Sequence, residues 1–137
     1  MTALDLSVPD ITGEPPLLRG KTCSGLVCEQ FWNHGALCSV ASAIYIKADE
    51  EWHRLVLDAG VIHWREQRTS PEPWEVAEEG WAYPHIDLAN QEDLTGLTFT
   101  DYVMRASESG CSVELLFSDC RRLIFQETRD VVTWAVI

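Results

Sequence analysis

Residues 50–67, EEWHRLVLDAGVIHWREQ, decide the fold, because two runs of alternating apolar and polar side chains flank the short connection Ala59-Gly60. Alternation with a period of two is typical of half-buried strands. A connection this short joins antiparallel neighbours, since a parallel crossover needs about a dozen residues or more. We therefore predict a β-hairpin with strands at Glu51–Asp58 and Val61–Gln67.

The register of this hairpin depends on the length of its turn. A two-residue loop at Ala59-Gly60 places His53 opposite Glu66. A three-residue loop over residues 58–60 offers good turn chemistry but pairs Leu55 with His63. We prefer the two-residue loop, because a buried face normally dictates register. It gathers four apolar side chains on one face, Leu55, Leu57, Ile62 and Trp64.

The same pattern continues on both sides of the hairpin, with turn residues between the apolar runs. Most connections between consecutive strands are short, which favours antiparallel neighbours. The predicted fold is mainly β, with antiparallel sheets in meander and hairpin order that form a sandwich or an open barrel. Six further strands are predicted, at residues 26–32, 37–47, 97–105, 112–117, 121–127 and 131–137.

The connection over residues 68–96 is the exception, because it is far longer than most loops of compact domains. We predict one or two short helices within it, which leaves an α+β fold open. One helix would begin at Ser70 and Pro71 and end at Gly80, and residues 87–94 would form the other. Connections of this length are often functional.

Domain organisation follows from length and composition. A chain of 137 residues that is 46% hydrophobic buries one core and is short for two ordinary domains. Residues 1–22 contain three prolines and little periodicity, which predicts an extended N-terminal arm. Residues 23–137 then form a single β-rich domain. Its predicted core consists of Val40, Ile44, Ile46, Leu55, Leu57, Ile62, Trp64, Val113, Leu115, Phe117, Leu123, Phe125 and Trp134.

The chain is strongly acidic, with a net charge of −12. Nucleic acids and anionic membranes attract clustered Lys and Arg, so neither is predicted as a partner. Acidic charge often serves solubility alone, but a local excess also fits attraction to a basic protein. From Thr69 to Met104 there is no Lys or Arg. The same interval contains eight acidic residues, Glu72, Glu75, Glu78, Glu79, Asp87, Glu92, Asp93 and Asp101.

The centre of this excess is PEPWEVAEEGWAYPHID, residues 71–87. Tryptophan supplies large buried area and a hydrogen-bond donor at interfaces, which enriches it among binding hot spots. Trp74 and Trp81 either pin the connection to the fold or face outward, and the two roles are compatible. We predict that the segment binds a basic protein through eight side chains, Glu72, Trp74, Glu75, Glu78, Glu79, Trp81, Tyr83 and Asp87.

The N-terminal sequence MTALDLSVPD lacks the positive charge and apolar run of a secretory signal, and no window resembles a membrane span. We therefore expect a cytoplasmic protein. No cofactor is predicted. The spacing of the five cysteines favours reduced, mostly buried thiols over a disulfide framework. They are Cys23, Cys28, Cys38, Cys111 and Cys120.

Two other arrangements contain residue types that carry chemistry. Cys23, Cys28, Cys38 and His34 are zinc-ligand types, but they lack the tight knuckle spacing of structural zinc sites. Cys38 alternates with Val40 and is expected in the core instead, so no metal site is predicted. Cys120 precedes Arg121 and Arg122, which would favour a thiolate. No histidine at a characteristic spacing accompanies it, so no catalytic residue is assigned.

The alternative function is a small enzyme or a ligand-binding β-barrel. In the preferred register, His53 and Glu66 could act as a general acid–base pair, because a carboxylate orients an imidazole. A cross-strand ion pair at the margin of the sheet is the simpler interpretation. On this alternative, the pocket contains His53, Glu66 or His63.

Two stretches, AIYIKADEEWHRLVLDAGVIHWRE and VELLFSDCRRLIFQET, resemble the immunity proteins that bacteria encode beside polymorphic or contact-dependent toxins. The resemblance covers about half of the chain and lies in small size, acidity, tryptophan content and turn-linked strands. It implies inhibition of a cognate toxin by tight one-to-one binding. Electrostatic steering and buried aromatic contacts would serve that role.

Overall fold

A computed structural model describes residues 8–137, and the predicted hairpin lies within the larger of its two sheets. Leu57 lies opposite Ile62, and His53 lies opposite Glu66. Ala59 and Gly60 have φ angles of 50° and 79°. Two consecutive positive φ angles are the mark of a type I′ turn, whose twist matches that of the paired strands. The two-residue loop is therefore confirmed.

The larger sheet places this hairpin between the strand Ala36–Ala48, which directly precedes it in the chain, and the strand Asp10–Thr12. Its order is β1-β5-β4-β3-β2-β7-β6, and β8 also pairs with β2. All of its pairs are antiparallel except β1 with β5. The strands are β1 (Asp10–Thr12), β2 (Cys23–Asn33), β3 (Ala36–Ala48), β4 (Glu51–Asp58), β5 (Val61–Gln67), β6 (Trp74–Val76), β7 (Trp81–Tyr83) and β8 (His85–Asp87).

The smaller sheet is an antiparallel meander in the order β12-β11-β10-β9. Both sheets are open, and side chains from both meet in one hydrophobic core. The prediction of a mainly β, antiparallel fold is confirmed. The strands of the smaller sheet are β9 (Phe99–Ala106), β10 (Gly110–Phe117), β11 (Arg122–Thr128) and β12 (Val131–Val136).

All eight predicted strands are present, with ends that differ by no more than three residues from those expected. The strands that sequence patterns missed are β1, β6, β7 and β8, each three residues long. A run of three residues is too short to show a period of two, so pairing with neighbouring strands rather than local pattern defines these strands.

The long connection contains less helix than predicted. The helix expected over residues 70–80 is β6 followed by a single 3-10 turn, Ala77–Glu79, although Gly80 ends it in the predicted left-handed conformation with a φ of 69°. The second helix, α1 (Leu88–Gln91), lies within the predicted interval. No helix in residues 8–137 is long and apolar enough to cross a membrane.

The core contains eleven of the thirteen predicted residues, while Val40 and Trp134 are partly buried against it. The prediction that Cys38 belongs to the core is wrong, because its side chain is exposed. The register between β2 and β3 shifts twice beyond Glu29, so the alternation that holds in the central part of β3 breaks before it reaches Cys38. Core residues that were not predicted include Leu18, Leu26, Leu88, Leu94 and Phe99.

The N-terminal arm was predicted over residues 1–22, and its first seven residues lie outside the described part of the chain. Within the remainder, β1 pairs in parallel with residues Val61, Ile62 and His63 of the hairpin. Leu18 is fully buried in the shared core. This segment therefore contributes an edge strand and a core side chain to the domain.

Candidate functional site

The long connection crosses the outer face of the larger sheet, which is the face turned away from the core. Cys28 and Ile44 are paired core residues, so their neighbours Glu29 and Tyr45 point to the outer face. Residues 69–72 line one cleft together with these side chains, and Ser70 and Pro71 also line a second cleft. The chain then adds β6, β7 and β8 beyond β2, which places the predicted binding segment at the free edge of the sheet.

Three aromatic rings form a continuous stack on this outer face. Phe31 and Tyr83 have ring centroids 5.1 Å apart with planes 26° from parallel. Tyr83 and Trp74 are closer, at 3.9 Å and 6°. Aromatic contacts of this kind stabilise a structure by about 0.5–1.5 kcal/mol beyond simple burial. The stack therefore holds Trp74 in one orientation, although 49% of its surface remains exposed.

A buried carboxylate anchors the stack. Glu29 is only 5% exposed, and its Oε1 accepts a hydrogen bond from the indole Nε1–H of Trp74 at 3.2 Å. The same oxygen is 3.0 Å from Nε2 of His85, which pairs with Glu29 across β2 and β8. Sequence patterns missed Glu29 and His85 as site residues. The one signal was Glu29 itself, the single charged residue of β2, because a buried charge needs a partner.

The turn that carries the two central glutamates is also fixed. The backbone N–H of His34, in the turn between β2 and β3, donates to the carbonyl of Gly80 at 2.8 Å. Gly80 has a positive φ, and a Cβ atom at that position would collide with the ring of His34. A larger residue at this position would therefore adopt a strained backbone conformation and displace the ring of His34. Glu78 and Glu79 consequently project from a well-defined backbone.

Seven of the eight predicted binding residues are exposed, and Tyr83 is partly buried within the stack. Trp74 and Trp81 lie on the same face of the β6–β7 pair, whereas Glu75 lies on the opposite face. Asp87 has a structural role as well, because its Oδ1 accepts the backbone N–H of Asn90 and caps α1. We call the eight residues the acidic aromatic surface: Glu72, Trp74, Glu75, Glu78, Glu79, Trp81, Tyr83 and Asp87.

The acids of this surface have no cationic partners within the described chain. In residues 8–137, Glu114 and Asp119 form ion pairs with arginines. Glu29 contacts His85, and that contact is an ion pair when the imidazole is protonated. None of these contacts involves an acidic side chain of the acidic aromatic surface. Their charge therefore acts on approaching molecules, and exposed charge of one sign steers oppositely charged partners.

The cleft on one side of residues 69–72 has a volume of about 430 Å³. Its lining combines the buried Glu29 with the exposed ring of Trp74 and several hydroxyl and amide groups, as well as the carboxylate of Glu72. The complete lining is Glu29, Tyr45, Gln67, Thr69, Ser70, Pro71, Glu72 and Trp74. The cleft thus joins the acidic aromatic surface to the outer face of the sheet.

The three polar residues of the alternative function do not converge. His53 and Glu66 are paired, but His63 is opposite Val56 and points to the other face of the hairpin. Nδ1 of His63 contacts Oγ1 of Thr12 at 2.6 Å. Burial lowers the pKa of His53, whose Nε2 has no hydrogen-bond partner in residues 8–137. This arrangement disfavours a shared acid–base pocket.

The cysteines divide into two classes. Cys23, Cys28 and Cys111 are buried, whereas Cys38 and Cys120 are exposed, and none of the five forms a disulfide. Arg121 turns away from Cys120: its guanidinium donates to the carbonyls of Glu92 and Asp93 and pairs with Asp119. Among the described residues, no three metal-ligating side chains come together.

Thiol reactivity is expected to follow this division. Burial raises the pKa of Cys23 to about 11 and the pKa values of Cys28 and Cys111 to about 12. The thiolate is the reactive form, so these three should resist alkylation at pH 8. Intact-mass analysis after iodoacetamide treatment should show two modified cysteines in the folded protein and five in denaturant. Rapid modification of Cys28 in the folded protein would show that its surroundings are not closed.

The chain matches no protein-family model, no curated protein and no solved structure.

Proposed function

We propose that this protein binds a basic protein partner through the acidic aromatic surface, and that the partner is a cognate toxin that it neutralises in the cytoplasm. On this proposal the protein is an inhibitor that acts one-to-one and performs no catalysis. The resemblance of residues 43–66 and 113–128 to immunity proteins supports the identity of the partner. The geometry of the outer face supports the mode of binding.

The observation that carries the proposal is an exposed tryptophan held in place beside unpaired carboxylates. Trp74 is fixed from one side by Tyr83 and along its edge by Glu29, so little side-chain freedom is left to lose on binding. Preorganisation of this kind increases affinity because it lowers the entropic cost of association. A large apolar ring that is both rigid and half exposed suits contact with a partner better than internal packing.

The surrounding charge suits a basic partner in particular. Unpaired acids raise the rate of encounter with positively charged proteins, while buried aromatic contacts slow dissociation. The acidic aromatic surface offers both types of residue on one edge of the larger sheet. Glu72, Glu78 and Glu79 are all exposed, so they remain solvated until a partner arrives.

The product of the gene adjacent to the one that encodes this chain is the partner to test first. Isothermal titration calorimetry should show a one-to-one complex. An activity assay of the adjacent gene product should show inhibition at equal molar amounts. An acidic protein of similar size serves as the control and should not inhibit. A partner protein without net positive charge would argue against the proposal. So would the absence of any complex if the adjacent genes belong to a metabolic operon.

A further inference from the structure

The carboxylate of Glu29 forms hydrogen bonds through only one of its two oxygens within the described residues. Oε1 accepts from Trp74 and contacts His85, but no group in residues 8–137 donates to Oε2. The only enclosed, unpaired side-chain atom in that part of the chain is Nε2 of His53. Oε2 of Glu29 is therefore not fully enclosed, and Glu29 lines the cleft beside residues 69–72.

A carboxylate in this position favours a cationic occupant. Each carboxylate oxygen has lone pairs for about two hydrogen bonds. Oε1 of Glu29 already contacts Trp74 and His85, so Oε2 is the oxygen that can still accept from an occupant of the cleft. Glu72 lies on the same cleft, and no Lys or Arg lines it. A positively charged hydrogen-bond donor would satisfy Oε2 and gain from both carboxylates. An anion would meet two like charges.

The aromatic ring that lines the cleft favours a guanidinium over other cations. Trp74 lines the cleft, and among the aromatic rings of residues 8–137 only that of Tyr83 stacks on it. Arg guanidinium groups stack on tryptophan rings and donate to carboxylates from the same plane. The volume of about 430 Å³ falls in the usual range of ligand pockets, about 300–1,000 Å³, so a long side chain can enter.

We propose that this cleft receives an arginine side chain of the protein partner, with the guanidinium beside the ring of Trp74 and hydrogen-bonded to Oε2 of Glu29. The identity of the occupant as part of a protein rests on the proposed function. Recognition of a guanidinium by the cleft does not, because it depends only on Glu29, Glu72 and Trp74. The two claims can therefore be tested separately.

The probe is Nα-acetyl-L-arginine amide, titrated into the isolated protein at about 150 mM NaCl, where surface charges are largely screened. The readout is the NMR signal of the Trp74 indole N–H, assigned by its loss in Trp74→Phe. We expect a saturable shift with a dissociation constant of about 10 mM or lower. The corresponding lysine amide should bind more weakly, and the uncharged norleucine amide should cause no saturable shift.

Glu29→Gln is the critical variant, because the amide oxygen can still accept from Trp74 while the second oxygen becomes an NH₂ donor. It should weaken binding of the arginine probe about tenfold or more, since a charge-assisted hydrogen bond is lost. Glu108→Gln, an exposed substitution in the turn between β9 and β10, is the control and should leave binding unchanged. Thermal unfolding of each variant verifies that it is folded.

Unchanged probe binding in Glu29→Gln, the absence of a saturable shift in the wild-type protein, or tighter binding of the lysine amide would each overturn the assignment. Probe binding that depends on Glu29, together with a partner that binds equally well to wild type and Glu29→Gln, would keep guanidinium recognition and overturn its use by the partner. Failure of the proposed function is visible independently, as the absence of any complex in the titration with the adjacent gene product.

Discussion

Replacement of Leu115 by alanine is expected to lower the free energy of unfolding by about 2–5 kcal/mol. Leu115 is fully buried in β10, a central strand of the smaller sheet, where it lies opposite Leu123 on β11 and Tyr102 on β9. The substitution removes apolar atoms from a core that both sheets share, and it leaves a cavity that a paired central strand cannot close. Urea denaturation followed by tryptophan fluorescence measures the change.

Leu17→Ala is the matched control, because the side chain of Leu17 is 81% exposed. Surface substitutions of this kind usually change stability by less than about 0.5 kcal/mol. A loss of stability in Leu115→Ala no larger than that of the control would mean that the two sheets do not pack as described.

Replacement of Trp74 by alanine is expected to weaken partner binding by about 2 kcal/mol or more, which is about a thirtyfold rise in the dissociation constant. Most of this change should come from faster dissociation, because aromatic anchors act after encounter. The fold should persist, since half of the side chain is already exposed. Surface plasmon resonance with the immobilised partner separates the two rates.

Two further variants refine that measurement. Trp74→Phe keeps a ring that can stack on Tyr83 but removes the indole N–H that donates to Glu29. Its dissociation rate should therefore lie between those of wild type and Trp74→Ala. Val131→Ala removes an exposed apolar side chain from β12 of the smaller sheet and should leave both rates unchanged. Equal kinetics for Trp74→Ala and wild type would remove Trp74 from the interface.

Sequence patterns predicted the long strands because the alternation that marks a strand is contained within the residues of that strand. Leu55, Leu57, Ile62 and Trp64 follow a period of two through β4 and β5, and Gly60 adopts its positive φ angle in the tight turn at little cost. The face of the hairpin that is buried could therefore be deduced from the sequence. The prediction for Cys38 failed near the N-terminal end of β3. The pairing with β2 shifts register twice there, and such shifts cannot be recognised from local alternation.

The candidate site likewise combines local features that the sequence shows with long-range contacts that it does not show. The excess of acids from Thr69 to Met104 is visible in the sequence, as is the presence of Trp74 and Trp81 within it. The contacts that organise the site join distant positions: Glu29 bonds with Trp74 and His85, and Phe31 stacks on Tyr83. Such contacts arise from the pairing of β2 with β7 and β8, which depends on the whole sheet rather than on neighbouring residues.

The charge of the acidic aromatic surface can be tested with two variants that alter net charge equally. One carries Glu75→Lys, Glu78→Lys and Glu79→Lys. The other carries Asp10→Lys, Asp58→Lys and Glu108→Lys, at exposed positions away from that surface. Asp10 belongs to β1, at the opposite edge of the larger sheet from β6. Six strand spacings of about 4.8 Å separate these edges by roughly 29 Å, well beyond the screening length of about 8 Å at physiological salt.

The decisive measurement is the association rate of these two variants with the partner at about 50 and 200 mM NaCl. The Glu75, Glu78 and Glu79 variant should remain folded, associate at least about tenfold more slowly at low salt and lose most of its salt dependence, because these charges steer the encounter. The control variant should stay much closer to wild type. If both variants slow association equally, net charge alone matters; if the first variant binds like wild type, residues 71–87 are a solvated connection and do not dock the partner.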